Sequence, residues 1–124
     1  MTTARVLLAE DEVLIRLVAA EHLRDEGFVV VEAWNGDEAA RLLDGPGRFD
    51  VVFTDVRMPG LLDGVDVAMH ARRQYPTLPV LVVSGYAPHL MRRLGMLQPA
   101  AVFISKPYSL TEVVEALNRL TASL

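Results

Sequence analysis

Apolar and polar positions along this chain follow two spacings that trade places five times. Arg5–Ala9 (RVLLA) is a short apolar run, too short for a helix and rich enough in Val and Leu for a buried strand. From Glu12 to Glu26 the spacing turns helical, with Val13, Leu14, Leu17, Val18 and Leu23 recurring at three and four; Gly27 supplies a stop. Phe28–Trp34 (FVVVEAW) predicts a second strand. Asn35 and Glu38 form a capping pair for a second helix, which runs to about Leu43 before Gly45-Pro46-Gly47 breaks it.

The alternation continues to the end. Asp50–Thr54 (DVVFT) predicts a third strand, and Gly64–Tyr75 a helix stopped by Pro76. Pro79–Val83 (PVLVV) is a fourth strand, followed by a short helix opened by Pro88 at a first helical position. Ala101–Ser105 (AVFIS) is a fifth strand. Ser109 and Glu112 make a Ser-x-x-Glu capping box for a last helix that reaches about Thr121. Strictly alternating strands and helices imply crossover connections, hence a parallel sheet covered on both faces. Near-continuous apolar strands fit burial on both sides. The expected architecture is an α/β doubly wound sheet of five parallel strands flanked by five helices, forming one domain over residues 1–124. Ligands of such sheets sit beyond the carboxyl ends of the strands.

Composition narrows the function classes. An apolar fraction of 52% and a mean hydropathy of +0.28 suit one globular domain of 124 residues and exclude disorder. Twelve basic against sixteen acidic residues give a net charge of −4, which argues against nucleic acid as a partner. The absence of cysteine removes disulfides, thiol catalysis and cysteine-based zinc sites. The longest uncharged stretch, which takes in Tyr75 to Met91, is broken by Pro76, Pro79 and Pro88, so no segment is expected to span a membrane. No signal peptide is expected before the first strand, and a cytoplasmic location is the expectation. Lys106 is the only lysine; every other basic residue is arginine.

The strand ends hold the chemistry. Strand one ends in Glu10-Asp11, strand three in Asp55, strand four in Ser84 and strand five in Lys106. Each alone has a plainer use: Asp11 suits a helix N-cap, and Asp55 suits a loop acid before the turn Met58-Pro59-Gly60. What plainer uses leave unexplained is their joint placement on one sheet edge. Three converging carboxylates repel one another unless a cation joins them. Lys106 offsets one charge, and Mg²⁺, held by one or two carboxylates with several waters, would offset the rest. Magnesium, a lysine and a hydroxyl together receive a phosphoryl group, with one carboxylate as the nucleophile.

These residues also carry a resemblance. VLLAEDE, DVVFTDVRMPG, PVLVVSGYA and FISKPYS, in this order and spacing, resemble the receiver domain of two-component response regulators over essentially the whole chain. The resemblance implies a flavodoxin-like fold with strand order 2-1-3-4-5. It implies Asp55 as phosphoacceptor, and Glu10, Asp11, Asp55 and the Arg57 backbone carbonyl as the Mg²⁺ site. Lys106 and Ser84 would contact the phosphoryl group, Ser84 and Phe103 would form the switch, and the Lys106–Pro107 bond would be cis. The implied partners are a sensor histidine kinase or histidine phosphotransfer protein and a downstream protein target. That target would meet the face of helix four, strand five and helix five, where a phosphorylation-dependent homodimer could also form.

Some features depart from the commonest form of the family. The acid pair is Glu-Asp, the loop from Asp55 to Gly64 is one residue longer, and a glycine follows Ser84. Arg57 and Tyr86, each two residues beyond a site residue, are expected to flank the pocket mouth and slow hydrolysis. His22, His70 and His89 match no metal-binding spacing and are expected to be ordinary surface or packing residues. Arg72-Arg73 and Arg92-Arg93 are expected on solvated helix faces, with the second pair also suited to a partner surface. Met91, Leu94, Met96 and Leu97 are expected to fill core. A phosphatase of the haloacid-dehalogenase type would need an acid two residues after the nucleophile, where Arg57 stands. The nearer rival is a pseudo-receiver, an interaction module that is never phosphorylated. The start at Met1 without a linker favours a stand-alone receiver.

Overall fold

Five strands and five helices alternate along the chain: β1 (Arg5–Ala9), α1 (Val13–Asp25), β2 (Val29–Ala33), α2 (Gly36–Asp44), β3 (Val51–Asp55), α3 (Gly64–Gln74), β4 (Val80–Ser84), α4 (Pro88–Gly95), β5 (Val102–Ser105) and α5 (Leu110–Leu120). This computed structural model describes residues 3–85 and 88–122, with 88–91 described by backbone alone. The strands form one parallel sheet in the order β2-β1-β3-β4-β5. All expected elements are present, with ends displaced by a residue or two. The local cap chemistry explains the agreement. Asn35 accepts from the Glu38 N–H, and Ser109 and Glu112 close a reciprocal capping box.

Alternation within each strand divides the core into two halves. Leu7, Ala9, Val52, Val80 and Val82 face α2, α3 and the Leu94 side chain of α4. Val6, Leu8, Val51, Phe53, Leu81 and Val83 face α1 and α5. Side chains on successive strand residues point to opposite faces, so one apolar run supplies both halves.

Two expectations about packing are corrected, and the structure adds which side of α1 is buried. In α1, the spacing that marks the helix does not mark its buried face: Val13, Leu14, Leu17 and Val18 are exposed, while Ala19, Ala20 and Leu23 are buried. The alanines are the small residues that let this helix lie close to the sheet. Met96 is 77% exposed rather than in the core; Leu94 is buried and Leu97 packs against the first half-core. Met91 and His89 lie outside the described side chains.

The second correction is Arg72, which is buried whereas Arg73 is exposed. It shares its side of α3 with Ala68 and Ala71, and its guanidinium donates to Leu78 O at 2.6 Å and to Pro99 O. Burial lowers its pKa, and the two carbonyls compensate the buried charge. Arg72→Ala removes both donors and leaves the carbonyls unpaired. Urea denaturation is expected to show a loss of about 2–3 kcal/mol, against less than about 0.5 kcal/mol for Arg73→Ala.

Candidate functional site

The carboxyl ends of β1, β3, β4 and β5 bring the polar residues to one edge. Asp55, the last residue of β3, is 5% exposed, and its Oδ2 accepts from Lys106 Nζ at 2.5 Å. Its Oδ1 accepts from the Arg57 backbone N–H at 3.3 Å. Ser84 is buried at the end of β4, paired in register with Ser105, and its carbonyl accepts from the Lys106 N–H at 2.7 Å. This bond fixes where the lysine side chain starts. The Lys106–Pro107 peptide is cis.

Glu10 closes the other side. It is almost fully buried, and its Oε2 accepts from the Glu12 N–H at 3.0 Å, which helps to start α1. Glu12 occupies the N-cap position and makes no side-chain cap bond, so Asp11 does not serve as the helix cap. Burial raises the Glu10 pKa to about 7; the Glu12 N–H works against this, and the neighbouring Asp55 and Asp11 add to it. Lys106 moves upward as well. Burial opposes its charge, but Asp55 and then Glu10 outweigh that cost.

The acid edge therefore carries more negative charge than Lys106 neutralises. That imbalance is the observation that fits a hard divalent cation. Among the described residues, no three acids are already gathered as a complete ligand set. Glu10, Asp11, Asp55 and the Arg57 carbonyl are all oxygen donors, and Mg²⁺ needs only one or two carboxylates because it retains water.

Phe103, in β5, is half-buried beside Val82 and packs against the α2–α3 half-core. The Arg57 side chain is exposed, and Tyr86 lies outside the described residues. Two neighbours of the site were not foreseen. Tyr108 sets its ring edge-on to Phe53, at 6.5 Å between centroids and 78° between planes, and burial raises its pKa. Its signal is present in the run FISKPYS. Arg16 donates to Glu10 O at 2.9 Å and to Glu32 Oε1 at 3.2 Å, tying α1 and β2 behind the acid pair. No periodicity could announce that bond, because Glu32 arrives from another strand.

Residues 6–118 match the family model of the response regulator receiver domain. The chain belongs to this family. A receiver protein from Sinorhizobium medicae superposes with a TM-score of 0.89 at 30% identity, over 98% of this chain and 96% of that one. The chemotaxis response regulator CheY4 of Vibrio cholerae does so at 0.84 and 29%, over 96% and 99%. A probable transcriptional regulatory protein of Picosynechococcus is 35% identical over 96% of this chain and 49% of its own length. The chain thus spans about half the length of that curated relative. It is a receiver domain of the two-component response regulators, a signalling domain of phosphorylation-based switching. Among the described residues, no helix of this receiver is long and apolar enough to cross a membrane. Of the receiver's histidines, His70 bonds Asp44 at 2.8 Å on the surface.

Proposed function

We propose that this receiver accepts a phosphoryl group on Asp55 from a phosphohistidine of a partner kinase or phosphotransfer protein, or from a small acyl phosphate. The observation that carries this reading is the buried Asp55 carboxylate, held by Lys106 at 2.5 Å inside an acid edge with more negative charge than that one lysine offsets. An Asp55 oxygen forms the new P–O bond as the P–N bond breaks, and the imidazole keeps the electron pair. Glu10, Asp11 and the Arg57 carbonyl would hold Mg²⁺ with Asp55, and the ion would neutralise phosphoryl oxygens. Lys106 pairs with another oxygen, and the Ser84 hydroxyl bonds a third.

Phosphorylation adds roughly 1.5 to 2 negative charges. Movement of Ser84 and Lys106 toward them draws on β4 and β5, lets Phe103 turn inward and remodels the α4–β5–α5 face for a downstream protein or a second copy. This is a shift between two packings. The exposed Arg57 side chain limits entry of the hydrolytic water.

Delivery also has a surface to use. A cavity of about 470 Å³ is lined by Ile15, Lys106, Pro107 and Tyr108, so it shares Lys106 with the Asp55 site. It continues into a second one along Leu14, Val18 and Leu110. Because Lys106 lines this apolar trough, a phosphohistidine carrier seated on α1 reaches Asp55 from there.

The test is incubation of the chain with acetyl phosphate, followed by intact mass measurement. One phosphoryl group is expected with Mg²⁺ and none with excess chelator. No modification under either condition leaves an interaction module that is never phosphorylated. Lys106→Arg is expected to fold and to show little of the Phe103 response. A planar guanidinium cannot follow the phosphoryl group as a compact ammonium on a flexible stem does. The environment of Phe103, followed by NMR with the phosphodonor, checks this; an unchanged response would remove the lysine from the switch.

A further inference from the structure

Outside the phosphoacceptor edge, the most connected polar cluster joins α3 to α4. Asp63 caps α3 and Asp66 is its third residue, and the two form a reciprocal box. Asp63 Oδ1 accepts from the Asp66 N–H at 2.9 Å, and Asp66 Oδ2 accepts from the Asp63 N–H at 3.0 Å. Each carboxylate keeps one oxygen free of the box, and Arg93 of α4 faces both. Its guanidinium lies 3.1 Å from Asp66 Oδ1 and 3.8 Å from Asp63 Oδ2, and also approaches Met69 Sδ. Partial burial works to raise the Asp66 pKa, yet the Asp63 N–H and Arg93 hold it below the ordinary carboxylate value.

The other side of this box touches the phosphoacceptor itself. Gly64 donates to Val56 O at 2.8 Å, and a Cβ on Gly64 would stand 2.0 Å from Asp55 O. The first turn of α3 is therefore in direct backbone contact with β3 at Asp55. Beyond the last turn of α4, which carries Arg93, the buried Arg72 holds the α4–β5 loop through Pro99 O. The two arginine ties differ in kind. The Arg72 side chain is enclosed and bonded to backbone, whereas the Arg93 side chain is 39% exposed and bonded to carboxylates.

We propose that Arg93 is a releasable latch: it holds the last turn of α4 to the α3 capping box, so that motion of the backbone at Asp55 frees α4 from α3 while Arg72 keeps the following loop in place. The latch rests on the phosphoacceptor reading for its trigger, but the tie itself exists in the unmodified chain. It gives α4 a connection to Asp55 that is independent of Ser84 and Phe103.

Hydrogen exchange on the full chain, read by mass spectrometry, tests the latch. In unmodified protein, Arg93→Ala is expected to speed exchange in α4 by up to about fivefold, the effect of losing a partly exposed ion pair of about 1 kcal/mol. The α4–β5 loop around Pro99 should keep wild-type rates. Arg93→Lys should restore most of the protection, and Arg92→Ala, on the exposed neighbour, should change nothing. Unchanged α4 exchange in Arg93→Ala, or equal loosening of the Pro99 loop, would overturn the latch. With acetyl phosphate and Mg²⁺, exchange in α3 and α4 should change together in wild type, whereas in Arg93→Ala the α3 change should persist and the α4 change shrink. A wild-type chain that takes up no phosphoryl group counts against the phosphoacceptor reading alone, because the unmodified rates still decide the latch.

Discussion

Asp55→Asn is expected to take up no phosphoryl group from acetyl phosphate, with or without Mg²⁺, while keeping the wild-type fold. An amide has nearly the same shape as the carboxylate but no nucleophilic oxygen anion. Its carbonyl oxygen can still accept from Lys106 Nζ, the partner now at 2.5 Å, so the lysine is not orphaned. The substitution also removes one of the charges that raise the Glu10 pKa, so Glu10 should titrate closer to its ordinary value. Intact mass gives the first outcome, and circular dichroism shows whether the fold survives. Equal phosphorylation of wild type and Asp55→Asn would place the acceptor elsewhere.

The second large effect is a loss of metal-free stability as pH rises. The Glu10 pKa is about 7 in the fold against a reference value of 4.5, so the folded state holds this proton more tightly than the unfolded chain. Below about 4.5 both states are protonated and the penalty is absent. Between about 4.5 and 7 the unfolded state releases its proton first, and stability falls; above about 7 the penalty is complete. A difference of about 2.5 pKa units corresponds to about 3 kcal/mol from this one group.

Urea denaturation in chelator at pH 5 and at pH 8 should show that drop in wild type. Glu10→Gln should be more stable than wild type at pH 8 and lose most of the dependence. Equal slopes in the two proteins would mean that Glu10 is not the group responsible. Mg²⁺ should restore wild type at pH 8 more than at pH 6, since binding favours the ionised carboxylate.

How much was readable beforehand varies with the range of the interaction. Asn35–Glu38 and Ser109–Glu112 were legible because a cap is settled within four residues. Gly64 was legible only as a helix start; its place against Asp55 O needs β3 and α3 to be assembled. In α1 the apolar spacing announces a helix but not its buried face. Val13, Leu14, Leu17 and Val18 line the outside, where Leu14 and Val18 border the trough, and the sheet is met by alanines. Arg72 and Arg73 are indistinguishable as neighbours in a sequence, yet a single step around the helix buries one among carbonyls and leaves the other in water.

By itself the sequence determined the order of elements, the parallel character of the sheet and the identities of the groups at its carboxyl ends. Periodicity, caps and turns are local, and they are written in consecutive residues. The family motifs added the strand order and a role for each strand-end residue. Only the tertiary structure decided the 2.5 Å approach of Lys106 to Asp55, the buried position of Glu10, the burial of Arg72 and the Arg93 bridge between α3 and α4. Those contacts join elements far apart in the chain, and their strength depends on distance and burial, which no linear pattern contains.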